Sequence, residues 1–409
     1  MHPHFKRNLF FLYLRQISAG LLIYQPVFYN FLISRGMSAA DFSVLLTAYN
    51  LGTLLIVVPA GHFADRIGRK WALMTANTAF TLGTLTLAFG HSLPVFIIGE
   101  IIYSLAVALD AGTHSAFLFE FLRSEGKEKE YYKYDAFGMF MFLVAGAIGT
   151  LIGGYLAEKG LHIPVITTAF LTAIGIPCAF FLKEPEMEHL KESHKNFPRA
   201  DIRIFKEISI VFKTVFTNPG LRWAVGLTVL WFWSRQFVNL YLPGPYFKFL
   251  DFHLKTYGML AAALTFCGGI IAFFSRKLIN RPDLKWFAIS GLVLIPTCFA
   301  FMGFVKNKYG LMGFFLYAIP YGLCTAVTNT LLNRQFMDHA RRSTFLGIVD
   351  FCVRLTASAV TIWLGKVLAD PQRGITYTLL FAALFSIGFA LMLFPGVFKY
   401  TAENPRTNP

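Results

Sequence analysis

An all-α membrane protein of twelve transmembrane helices, set in two pseudo-symmetric six-helix halves, is the fold class the sequence predicts. Three observations carry that expectation. Of the 409 residues, 56% are hydrophobic and only 14% are charged, against about 25% charged in ordinary soluble domains. The apolar residues are gathered into runs of the length, about 20 residues, that carries a helix across about 30 Å of hydrocarbon. The Lys and Arg residues fall in short blocks between these runs rather than along them. So few charges cannot cover a soluble core of this size, and 45 phenylalanines suit contact with lipid and packing between helices.

The runs follow one another at 8–33, 41–61, 71–90, 94–121, 136–157, 164–182, 222–249, 256–276, 285–305, 309–333, 343–368 and 375–398. They are too long for strands and lack a two-residue alternation. Lipid offers no partner for backbone polar groups, so a span of this kind must be a helix. The first run follows Lys6 and Arg7, exceeds 20 residues and has no small-residue cleavage site after it, so it reads as a span and not as a signal peptide. After the sixth run comes a polar segment in which Ile202 to Phe216 place apolar residues near helical spacing, the pattern of an amphipathic helix on a membrane surface. The expected organisation is therefore a six-helix half over 1–182, a linker over 183–221 and a second half over 222–409.

With the N-terminus inside, 26 of the 37 Lys and Arg lie on the cytoplasmic side and 8 on the other. Cytoplasmic loops carry the positive excess, so both termini are expected in the cytoplasm. The same distribution argues against nucleic acid as the reason for a net charge of +15, because no basic face is built. Cys178, Cys267, Cys298, Cys324 and Cys352 all sit inside apolar runs, so neither a disulfide framework nor a zinc site is expected. No metal or other cofactor is expected.

The halves repeat weakly. Arg15 and Gln16 precede Pro26, Val27 and Phe28 in the first run; Arg235 and Gln236 precede Pro245, Tyr246 and Phe247 in the seventh. Proline-interrupted helices at matching places in two repeats point to a transport site near the midplane.

After the second run the chain reads Gly61, His62, Phe63, Ala64, Asp65, Arg66, Ile67, Gly68, Arg69, Lys70. Gly61 and Gly68 permit a tight turn and close helix approach, and Asp65 suits a helix N-terminus or an arginine. This string resembles the signature loop of the major facilitator superfamily, G-x-x-x-D-R-x-G-R-[RK], at every defining position and between the same two spans. The resemblance implies a secondary transporter of the bacterial drug or solute and proton type. It also implies that Gly61, Asp65, Arg66, Gly68, Arg69 and Lys70 form a latch closing the outward-facing state against the start of the eleventh helix. A simple positive anchor is the plainer alternative. Two family patterns are altered here. Glu100 and Ser104 stand where helix four often carries R-x-x-x-G, and the exporter pattern G-x-x-x-G-P-x-x-G-G survives only as Ala145, Gly149, Thr150, Gly153 and Gly154.

In that family helices one, four, seven and ten line a central cavity. Helical spacing then gives a candidate substrate lining of Arg15, Gln25, Tyr29, Tyr103, Trp231, Arg235, Asn239, Tyr317, Tyr321 and Thr325. A charge at mid-membrane costs at least about 2.5–3.5 kcal/mol, so each one is a functional candidate. Asp110 and His114, one turn apart, are candidates for carrying the coupled proton, with Glu100 as a further one. The alternative for Asp110 and His114 is a static pair neutralised by Arg15 or Arg235. Arg15 and Arg235 together would favour an anionic substrate group. Asp350 and Arg354, four apart, are expected as a structural ion pair.

No phosphate-binding loop of an ATP motor, no nucleophile–base constellation and no selectivity filter appears. The expectation is a monomeric, multi-pass inner-membrane transporter and not an enzyme, sensor or channel. Its partners are a small organic molecule, protons and the lipid bilayer. Export is the leading direction, and proton-coupled uptake of an organic anion or nutrient is the alternative.

Overall fold

The computed structural model describes residues 3–184, 202–278, 284–336, 342–368, 370 and 373–401. Every regular element among them is helical. Among the described residues eleven helices are long and apolar enough to cross a membrane. Spans one to six are Phe5–Ser34, Ala39–Val57, Arg69–Phe89, Leu93–Ser124, Glu128–Lys159 and His162–Phe180. Spans eight to twelve are Leu254–Ala272, Leu284–Phe304, Lys308–Leu332, Phe345–Leu368 and Gly374–Tyr400. The expected seventh is also helical, as Pro219–Gln236, a π turn at Phe237–Tyr241 and Pro243–Phe249. It is less apolar than the others because Arg222, Arg235, Gln236, Asn239 and Lys248 interrupt it.

The described residues form two compact units. The first holds residues up to 184 together with 252–262; the second holds 202–251 and everything from 263 onward. The start of span eight thus packs with the first unit, and glycine makes that possible. A side chain at Gly154 would put its Cβ 2.8 Å from the Lys255 carbonyl oxygen, and one at Gly258 would strike the Thr150 carbonyl. Span five also receives the broken part of span one. The first helix ends at Gly20 and resumes as a short turn at Gln25–Val27, where Pro26 lacks the backbone donor a continuous helix needs. Gly149 and Gly153 face Leu21 and the Ile23 carbonyl across this break. The incomplete exporter pattern in span five is therefore a surface stripped of side chains, on which the break in span one and the first turns of span eight lie. Gly154→Leu should destabilise the protein by about 1–3 kcal/mol through overpacking, read as a lowered unfolding midpoint in detergent. An unchanged midpoint would mean that this approach contributes nothing to stability.

Spans three and four approach through Gly83, whose absent Cβ would lie 2.9 Å from the Tyr103 nitrogen. Asn8 closes the unit by exchanging two 2.9 Å hydrogen bonds with the backbone of Lys183.

In the second unit Trp223 donates to the Leu393 carbonyl at 2.7 Å, and Gly268 and Gly322 let spans eight and ten meet beneath Tyr321. The linker forms a helix at Ile202–Thr217, the expected amphipathic segment. Val211 and Val215 are buried, while Ile210, Phe212 and Phe216 are exposed.

One expectation needs correction. Residues 61 to 67 are not a loop, because the second helix runs as Ala39–Ile67. It starts at a capping box, in which Ser38 and Asp41 each accept the other's backbone N–H. It stops only at Gly68, which takes the left-handed φ of 92° between this helix and the next. Gly61 lies within the helix with open space where a Cβ would go, so the whole reversal rests on Gly68.

Candidate functional site

The polar residues of the first unit gather in two clusters. In one, Arg15 is fully buried and bridges two side chains of span four. Its Nη1 lies 2.6 Å from Asp110 Oδ1, and its Nη2 lies 2.9 Å from His114 Nδ1. A guanidinium only donates, so His114 Nδ1 is the acceptor and the ring is neutral with its proton on Nε2. The three side chains brought together by the expected stripes thus form one group. The carboxylate and the imidazole take the two terminal nitrogens of the cation, and its buried Nε is left without a partner. That geometry places Arg15 against both members of the Asp110 and His114 pair.

The second cluster surrounds Glu100, which is 4% exposed. Tyr24 of span one and Tyr103 of span four are hydrogen-bonded to each other and lie within electrostatic reach of its carboxylate. Tyr49 of span two places its ring 5.9 Å from that of Tyr103, and Phe80 of span three lies edge-on to Tyr103 at 5.0 Å. The Ser104 hydroxyl, one turn from Glu100, is spent on the backbone carbonyls of Tyr49 and Glu100 at 2.9 and 2.8 Å. Among the described residues no cation and no side-chain donor bonds the Glu100 carboxylate. Gln25 and Tyr29 are half-buried beyond the break in span one, with Tyr29 edge-on to Phe42 at 5.2 Å.

In the second unit Arg235 donates to Thr325 Oγ1 at 3.1 Å and lies 5.0 Å over the Tyr321 ring. Asn239 donates to the Tyr321 hydroxyl at 3.3 Å. These residues sit at the π turn, where the Leu242 N–H reaches the Phe237 carbonyl at 2.8 Å, five residues back. Wide turns of this kind concentrate at functional positions. Among the described residues no carboxylate pairs with Arg235. Tyr317 and Trp231 are fully buried: the Tyr317 hydroxyl lies 2.8 Å from Ser234 Oγ, and the Trp231 ring covers Gly291. Both are packed between helices, while Arg235, Asn239, Tyr321 and Thr325 form the polar group.

At the signature segment Arg69 Nε lies 3.5 Å from Glu120 Oε1, and Lys70 Nζ stands 5.1 Å over the Phe180 ring. Arg66 is exposed. The side chain of Asp65 lies outside the described residues. Glu184, not anticipated from sequence, accepts from the Lys70 backbone N–H at 3.4 Å and fills the space beside Gly68. It supplies a negative charge at the N-terminus of span three. Its signal was an acid directly after the sixth run, which is indistinguishable by pattern from the other linker acids. Asp350 and Arg354 pair at 2.8 Å, as their spacing implied.

Residues 16–361 match the sequence profile of the Major Facilitator Superfamily. The chain belongs to this family. Among curated members, this transporter is 25% identical over 363 residues to the quinolone resistance protein NorA of Staphylococcus aureus (strain MRSA252), covering 86% of this chain and 88% of that protein. It is 24% identical to the multidrug resistance protein MdtL of Shewanella sp. (strain ANA-3), covering 87% of each. A third relative, an uncharacterized MFS-type transporter YxaM of Bacillus subtilis (strain 168), is 23% identical over 69% of this chain and 70% of its own. The fold matches the crystal structure of the nucleoside transporter NupG with a TM-score of 0.77 at 15% identity, covering 97% of this chain and 99% of that one. A bacterial homologue of the human lysosomal transporter Spinster gives 0.74 at 12% identity, covering 99% and 100%. The family consists of transporters and not enzymes, which places the protein in a membrane as a multi-pass carrier of small molecules.

Proposed function

We propose that this member of the superfamily is a proton-coupled exporter of small organic solutes that bear an anionic group, working as a monomer by alternating access. The observation that carries the reading is Arg235. It is a guanidinium within span seven that has a hydroxyl, an aromatic face and an amide for neighbours and no carboxylate among the described residues. Such a fork is suited to a carboxylate or phosphate supplied by the solute. Similarity to NorA and MdtL over most of the chain supports export. In this reading the halves 1–182 and 222–409 rock about the site, tethered by 183–221. The segment from Gly61 to Lys70 latches the outward-facing state, and both termini lie on the cytoplasmic side of the inner membrane.

Uptake of an organic anion is the second reading, since Arg235 suits an acidic solute whichever way it travels. Direction and coupling are tested together in proteoliposomes carrying a labelled panel of aromatic carboxylates, with pH gradients of either sense imposed. Flux accelerated when protons run opposite to the solute is the expected result. Acceleration when both run together would assign uptake, and indifference to the gradient would remove proton coupling.

A further inference from the structure

We propose that Glu100, buried beside Tyr24 and Tyr103, is the residue at which the coupled proton is taken up and returned. The proposal rests on the proton-coupled reading above and assigns its site. Asp110 is the competing acid, but its carboxylate is already neutralised by a guanidinium at 2.6 Å. The His114 nitrogen facing that guanidinium is an acceptor at 2.9 Å, leaving no vacancy for a proton there.

Glu100 is in the opposite condition. It is buried to 4% exposure, and the aromatic groups about it are uncharged: Tyr24 of span one and Tyr103 of its own helix lie within electrostatic reach of the carboxylate, while Tyr49 of span two and Phe80 of span three pack on Tyr103. The titratable side chains of span three, Arg69 and Lys70, stand at its start in the signature segment. Arg35 and His91, in the turns where spans one and three end, bond each other at 2.8 Å. The Ser104 hydroxyl is held by backbone, and the Tyr24 and Tyr103 hydroxyls hold each other. An ionised carboxylate without a cation or a donor is far costlier to bury than the neutral acid, so this arrangement holds Glu100 with its proton.

One wall of the site is not held in a regular helix. Tyr24 stands in the stretch of span one between the end of the first helix at Gly20 and the turn at Gln25–Val27. Displacing that stretch removes one tyrosine and opens the carboxyl group to water, whereupon the proton leaves. The proton goes to bulk water and the negative charge stays on Glu100 until it is reprotonated from the other side.

The experiment is infrared titration of the full-length reconstituted protein beside flux of one labelled aromatic carboxylate as a fixed probe. Wild type should show a protonated-carboxyl band at neutral pH that Glu100→Gln lacks and Asp110→Asn retains. In proteoliposomes Glu100→Gln should lose acceleration of carboxylate flux by a pH gradient while keeping exchange without a gradient, and Glu100→Asp should keep both the band and the acceleration. A band that persists in Glu100→Gln, or gradient-driven flux that survives it, overturns the assignment to Glu100. A band that behaves as expected in a wild type whose carboxylate flux and exchange ignore the gradient overturns the proton-coupled reading itself, and the role of Glu100 falls with it. Should Glu100→Gln fail to fold, the shorter acid Glu100→Asp decides, through the presence or loss of the band.

Discussion

Arg15→Leu should lower stability by about 3 kcal/mol, because removing one partner of a buried ion pair leaves the other uncompensated. Such losses run to about 5 kcal/mol. The lower figure applies because the Asp110 side chain, at 28% exposure against 1% for Arg15, retains some access to polar surroundings. His114, 8% exposed, loses its donor at the same time. Arg15→Lys should rescue only in part, since a single ammonium lacks the fork that reaches two acceptors at once. Asp110→Asn should cost less than Arg15→Leu, and the double variant should recover part of the loss, the coupling a thermodynamic cycle detects. Chemical unfolding of the four proteins in one detergent measures this. Arg15→Leu within about 1 kcal/mol of wild type, the usual worth of an exposed pair, would remove the cluster from the fold's supports.

Arg235→Ala should act the other way round, leaving the fold nearly intact and damaging function. Its contacts are one hydroxyl at 3.1 Å and an aromatic face at 5.0 Å, together worth on the order of 1–2 kcal/mol. A guanidinium that receives a solute carboxylate contributes about 2 kcal/mol or more, and losing it weakens affinity by about thirty-fold. Competition binding with matched pairs of aromatic carboxylates and their neutral amides reads this directly. The carboxylates should lose about thirty-fold and the amides little. Equal losses for both would show that Arg235 shapes the site without reading charge.

The helices were legible because lipid is so restrictive a solvent. A run of apolar residues has one structural outcome there, and even the amphipathic helix at Ile202–Thr217 was visible from its spacing. The segment from Gly61 to Ile67 misled because a polar, glycine-bearing string looks like a loop, whereas a helix that leaves the hydrocarbon keeps its internal hydrogen bonds in water. The pairing of Arg15 with Asp110 and His114 followed from one-turn spacing on span four and charge on span one. That one guanidinium would reach both side chains did not follow, since that depends on its angstrom-scale placement. Tyr24 and Tyr49 were passed over because helical period places them on no predicted cavity stripe. They come together at Tyr103, beside Glu100, because span one breaks at Gly20 and Gly52 lets span two approach Ser104 of span four. Trp231 and Tyr317 share the period of the polar group in the second unit, but their rings are taken up by Gly291 and Ser234 in packing.

The wide turn at Phe237–Tyr241 fixes angular phase along span seven. One residue more than an α turn requires is accommodated there, so everything from Leu242 onward is rotated by about 100° relative to an uninterrupted helix. Pro243 and Pro245, which lack a backbone N–H, follow at once and make restoration of a regular ladder costly. The insertion is thereby locked in place. Arg235 and Asn239 lie on either side of its start and reach the same ring, Tyr321, from the two phases. A substitution in this stretch changes one side chain. Loss of a single residue would turn the whole outer half of the helix, Tyr246 and Phe247 included, out of register with the core it fills.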